Sequence, residues 1–171
     1  MDFLKGLLNV AKSVQETSDN CLLPPVDVTP IDKHIILPQS LFNSTRGYLE
    51  KIVYQINTSY ENTCYDACSV MIRRLIEILI IETYEHNHIA HKIKNPEGDF
   101  FFLDDLINCC LSEPMWNLSR NTKRGLKNLK TLGDLSAHSR RYNTNRNDLD
   151  KVTQDLRVIA EEFLYLSGLK I

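Results

Sequence analysis

The stretch from Cys64 to Glu85 constrains the fold more than any other part of the chain. At helical spacing it sets Ala67, Cys68, Met71, Leu75, Ile78, Leu79 and Glu82 along one side, while Val70, Ile72, Ile76, Ile80 and Ile81 cover much of the rest. A helix that is apolar on nearly every side has to be enclosed by other elements, so it is predicted at the centre of a helical assembly. Arg73, Arg74, Glu77 and Glu82 argue against a membrane span. Unpaired charge is costly to bury, so Arg73, Arg74 and Glu77 are expected to form ion pairs with one another or with a neighbouring helix.

The flanking sequence supplies the neighbours. Pro38 suits a first helical turn, and Leu41, Phe42, Thr45, Leu49, Ile52, Val53, Ile56 and Tyr60 keep a helical spacing after it, as far as a turn at Glu61-Asn62-Thr63. Beyond the central helix, His86 to Gly98 reads as a polar connection. Asp99 is expected to cap a third helix with Phe100, Leu103, Leu106, Ile107 and Cys110 or Leu111 on its inner side, ended by Pro114, with Trp116 plugging the end of the core. A fourth helix follows. Asn147 is expected to cap the last one, which carries Leu149, Val152, Leu156, Ile159, Ala160 and Phe163 on one stripe and stops at Gly168. No segment has a strand alternation. The reading is an all-α, up-and-down bundle of four to five helices over residues 38–171, with short connections. Ahead of it, residues 1–20 are expected to form an amphipathic helix (Phe3, Leu4, Leu7, Leu8, Ala11, Val14) suited to docking on the main body or on a twin subunit. Residues 21–37, with Pro24, Pro25 and Pro30, are expected to form an extended proline-rich connector.

Lys5, Asn9 and Lys12 interrupt the N-terminal apolar residues, so no secretory signal is visible and the expected compartment is the cytoplasm, with no membrane partner. The odd number of cysteines, 5, agrees with a reducing environment. No pair of them has the spacing of a zinc site, and His86, His88 and His91 read as a solvated loop, so neither a metal nor a cofactor is expected. The net charge of −2 hides a segregation: between Arg120 and Arg146 stand eight basic residues against one acid, Asp134. Such a window suits a phosphate-bearing partner, or else forms a solvated face.

Most of that window belongs to Leu126–Arg141, which has helical apolar spacing. Lys130, Asp134 and His138 stand four residues apart on one face, with Arg141 three further on. Leu129, Leu132 and Ser136 lie on another face, flanked by Gly133 and Ala137. Gly in mid-helix costs about 1 kcal/mol against Ala, so Gly133 implies that another backbone comes close. The segment reads as a packed helix with one polar, functional edge.

Two segments carry a resemblance to a known family. Tyr65-Asp66-Ala67-Cys68-Ser69-Val70-Met71-Ile72-Arg73-Arg74-Leu75-Ile76-Glu77 has paired arginines followed by Leu and Glu, and Leu129-Lys130-Thr131-Leu132-Gly133-Asp134-Leu135-Ser136-Ala137-His138 is similar to a signature of the form Leu-Arg-x-x-Gly-Asn-x-Ala-Ala-His. On these, the chain from about Leu37 to Gly168 resembles the HEPN superfamily (higher eukaryotes and prokaryotes nucleotide-binding). The nearest branch is a bacterial one often attached to restriction-enzyme subunits. The resemblance implies an RNA-directed protein, a metal-independent ribonuclease in phage defence or a toxin–antitoxin pair, working as a homodimer. Active members use an Arg, four to six intervening residues, then His. Here His138 matches, whereas Thr131, Leu132 and Gly133 occupy the places of the Arg, Lys130 lies one residue further upstream, and Asp134 stands where Asn is common.

The residues themselves suggest the same chemistry. Metal-free RNA cleavage needs a base for the 2′-hydroxyl proton and a cation for the phosphorane. His138 suits proton transfer, Asp134 could orient its imidazole and favour the protonated form, and Lys130, Arg140 or Arg141 could supply the cation. Arg120, Arg124, Lys127, Arg140 and Arg141 are the candidate phosphate contacts. The alternative is that His138 pins its helix by bonding to Asp134 or a neighbour. In that case the chain is a non-catalytic helical dimerisation module that binds a partner protein or nucleic acid.

Overall fold

The computed structural model describes residues 35–170; the expected N-terminal helix and most of the expected connector lie outside them. The described residues form five α-helices: α1 (Gly47–Glu61), α2 (Tyr65–His86), α3 (Leu103–Ser112), α4 (Arg120–His138) and α5 (Arg146–Leu166). Short 3-10 turns at Gln39–Phe42 and Ala90–Ile93 complete them, and one isolated bridge, Lys94 to Phe100, is the only β pairing among the described residues. The protein is an all-α helical bundle.

α2 is central, as its all-round apolar surface requires. It packs against α1, α3, α4 and α5. Ile72, Leu75, Ile76, Leu79 and Ile80 are completely enclosed, meeting Leu49, Val53 and Ile56 of α1, Leu106 of α3, Leu126 and Leu129 of α4 and Leu156, Ile159 and Phe163 of α5 in one core. Each enclosed aliphatic side chain contributes about 1.5–3 kcal/mol, so the α2 seam dominates the stability. Trp116 closes one end: its indole donates to the Cys110 carbonyl at 3.2 Å, and its ring stands edge-on to Tyr84 at 5.0 Å.

Helix boundaries depart from expectation where a local polar group recruits the backbone. The segment after Pro38 is not one helix. Ser44 turns left-handed (φ 65°), its N–H donating to Glu50 Oε1 at 3.0 Å, which separates the turn carrying buried Phe42 from α1. Asp99 is not a cap. The Asn95 side chain accepts its N–H at 2.8 Å in a tight turn through Gly98 (φ 95°), and Phe102 becomes the residue preceding α3. Asn145, not Asn147, caps α5: its side chain accepts the Asp148 N–H at 3.2 Å, and the Asp148 carboxylate accepts the Asn145 N–H at 3.2 Å, completing a capping box. Gly168 (φ 63°) ends α5 as expected. Among the described residues no helix is long and apolar enough to cross a membrane.

Candidate functional site

α4 carries the candidate site, and glycines set its depth in the bundle. Ser119 caps it, accepting the Thr122 N–H at 3.2 Å. Leu126, Leu129 and Leu132 face the core. A Cβ on Gly125 would stand 2.9 Å from Ile159 of α5, and one on Gly133 would stand 2.7 Å from the Arg73 Cβ of α2. Two close approaches therefore seat α4 between α2 and α5. Of the other small residues in this stretch, Ser136 bonds Thr144 and the Leu132 carbonyl, and Ala137 is exposed.

The opposite edge of α4 faces solvent. Arg120, Lys127, Thr131 and His138 are all exposed and fall within a narrow arc of the helix, which at about 1.5 Å per residue runs roughly 27 Å from Arg120 to His138. At its C-terminal end lies an open groove of about 640 Å³. Arg73, Phe102, Asp104, Lys130, Asp134 and His138 all line it, drawn from α2, the start of α3 and α4.

Charge in the groove is closely paired. Asp134 accepts from Arg73 Nε at 2.8 Å and from Lys130 Nζ at 2.8 Å, Lys130 reaches Asp104 at 3.3 Å, and Arg73 reaches Glu77 at 3.7 Å. Burial alone would push the Asp134 carboxyl upward, but the bonds from Lys130 and Arg73 outweigh it and hold the group below the usual aspartate range. The Asp134 bond chiefly holds Lys130 above the ordinary lysine value, against the pull of burial.

This corrects the expected role of Asp134. Its carboxylate is held by Arg73 and Lys130, and the His138 imidazole has no partner among the described residues. Lys130, expected as a free cation, is held between two acids. α4 ends at His138, since Ser139 is extended (φ −78°, ψ 128°), so Arg140 and Arg141 leave the helix instead of continuing its face. Both are exposed beside groove-lining Ser139. Arg124 pairs with Asp155 at 3.7 Å, whereas Arg120 and Lys127 have no acidic partner among the described residues. The predicted ionic role of Arg73 and Glu77 holds. Arg74 departs from it, being exposed with no ion pair among the described residues.

Sequence reasoning missed Phe102 and Asp104 as groove residues and gave Arg73 only a structural part. The lone hint was the run Phe100-Phe101-Phe102, which reads as core. Among the described residues no three His, Cys, Asp or Glu side chains come together as a group that could hold a metal ion. No protein-family model, curated protein or solved structure matches the chain.

Proposed function

We propose that the chain is a HEPN-like, RNA-directed protein that lays a single strand along the exposed edge of α4 and presents it to His138. The supporting observation is the run of exposed, acid-free cations Arg120 and Lys127 leading to a groove where the His138 imidazole stands exposed and without a partner. Arg140 and Arg141, just beyond the helix end, extend the positive charge past the groove. In this reading His138 takes the 2′-hydroxyl proton, the 2′-oxygen attacks the adjacent phosphorus, and the 5′-oxygen leaves with a proton from water, giving a 2′,3′-cyclic phosphate and a 5′-hydroxyl end. With Lys130 engaged by Asp104 and Asp134, the phosphorane is assigned to Arg140 or Arg141, whose planar guanidinium suits two phosphate oxygens. The biological setting proposed for such an activity is phage defence or a toxin–antitoxin pair.

The test is the salt dependence of RNA binding. Log affinity should fall against log salt with a slope of about 0.7 per phosphate contacted by a single strand, and the Arg140→Ala, Arg141→Ala pair should flatten it by one or two contacts' worth. No binding at low salt defeats the proposal.

A second reading is favoured by one observation: Asp134 is committed to Arg73 and Lys130, which leaves His138 without an orienting acid. The chain would then be a non-catalytic helical module that forms a homodimer and holds a partner protein or nucleic acid. Binding without cleavage, together with a dimer mass by light scattering, distinguishes it.

A further inference from the structure

Phe102 is the most exposed large apolar side chain among the described residues, at 85 %. Its backbone is fixed as the residue before α3, with its carbonyl accepting the Leu106 N–H at 3.0 Å. That position favours Ser, Thr, Asp or Asn, whose side chains cap the helix and are worth about 1 kcal/mol over an apolar residue; Phe102 makes no such bond. Its neighbours Phe100 and Phe101 pack on the core, whereas Phe102 turns away from it and lines the groove with Lys130, Asp134 and His138. Burying a Phe side chain is worth about 1.5–3 kcal/mol, which Phe102 forgoes.

The charge arrangement indicates what the ring would meet. Inside the groove Arg73 and Lys130 are matched by Asp104 and Asp134, so the lining is close to neutral and poorly suited to a phosphate. Acid-free cations lie outside it, at Arg120 and Lys127 on one side and at Arg140 and Arg141 on the other. An exposed aromatic face in a neutral groove with polar edges at Thr131 and Ser139, flanked by cations, matches the alternation of base and phosphate in an unpaired strand.

We infer that Phe102 is a stacking platform for an unpaired nucleobase, which enters the groove while its flanking phosphates meet the cations of α4 and of Arg140–Arg141. The inference rests on the RNA-directed reading and gives its single strand a base-binding subsite, since a paired base has no free face to offer. A duplex would meet only the flanking charge.

Fluorescence anisotropy with labelled octauridylate, and with an abasic ribose-phosphate octamer of the same length, tests this. The wild type should prefer octauridylate. Phe102→Ala should weaken octauridylate binding by about 5- to 150-fold, the loss that follows from removing one aromatic–base stack. It should leave the abasic octamer and the salt slope unchanged, and Phe102→Trp should keep the preference. Equal binding of octauridylate by the wild type and Phe102→Ala overturns the platform while leaving RNA binding standing. A wild type that binds neither oligomer overturns both readings. Unchanged RNA affinity together with a dimer-to-monomer shift in the mass of Phe102→Ala overturns the platform and assigns the ring to an interface between copies.

Discussion

Gly133 of α4 lies directly against Arg73 of α2: a methyl group on Gly133 would stand 2.7 Å from the Arg73 Cβ. Because the obstructing atom is anchored to the α2 backbone, rotation of the arginine cannot relieve the contact. Gly133→Ala gains about 1 kcal/mol in helix propensity but incurs about 1–3 kcal/mol of overpacking. Net destabilisation is expected, read as a lower urea midpoint at unchanged m-value. A variant as stable as the wild type would mean that α4 can shift outward freely.

The Asp134 pairs give the protein an acid-sensitive element. Its carboxyl is lowered in the fold relative to the unfolded chain, so its contribution is complete above the ordinary aspartate range and is lost as pH falls through the depressed native value. Glu82 works in the opposite sense. Burial, only partly offset by Arg46, raises its carboxyl, so its contribution is lost as pH rises. Asp134→Asn should therefore flatten the decline in stability on the acid side. At neutral pH it should cost about 1 kcal/mol or less, because the pair is partly solvated. Denaturation curves from pH 2 to 7 check both.

Tyr84 is fully buried, and its hydroxyl has no hydrogen-bond partner among the described residues. An unmet buried donor costs about 1–3 kcal/mol, whereas the ring itself packs well against Trp116. Tyr84→Phe is expected to equal or exceed the wild type in stability, and thermal unfolding measures this directly. A marked loss would reveal a partner for the hydroxyl.

His138 is exposed at the last residue of α4, so removing its imidazole should leave folding within about 0.5 kcal/mol of the wild type. If the wild type cleaves RNA in excess chelator and leaves 2′,3′-cyclic ends, His138→Ala should lose about two to four orders of magnitude in rate. Full activity in the variant would exclude the imidazole from the proton transfer.

What the sequence reveals follows from the range of the interaction concerned. The central position of α2 is legible because an all-round apolar helix has one solution, and Gly133 announces a close approach because mid-helix glycine is otherwise a cost. The pairing of Lys130 with Asp134 follows from the helical repeat. Arg73, in contrast, reaches Asp134 across 61 residues of chain, and no local pattern sets that register. Nor does one give the exposure of Phe102, since three consecutive phenylalanines look equally buried until the Asn95–Asp99 turn fixes which way the chain enters α3. The misplaced cap of α5 has the same cause: Asn145 and Asn147 each stand three residues before an acid, so the local pattern fits both and does not choose between them.

The side chain of Asn57 in α1 grips the main chain of Leu37 at both polar groups, accepting its N–H at 3.1 Å and donating to its carbonyl at 2.8 Å. Leu37 and its neighbour Ile36 are buried beside this clip. Tension applied through the preceding chain would load these two hydrogen bonds together and pass straight into α1, which carries Asn57. The clip makes Ile36 and Leu37 an anchor: peeling them from the bundle would require breaking both bonds and exposing two buried side chains in the same step.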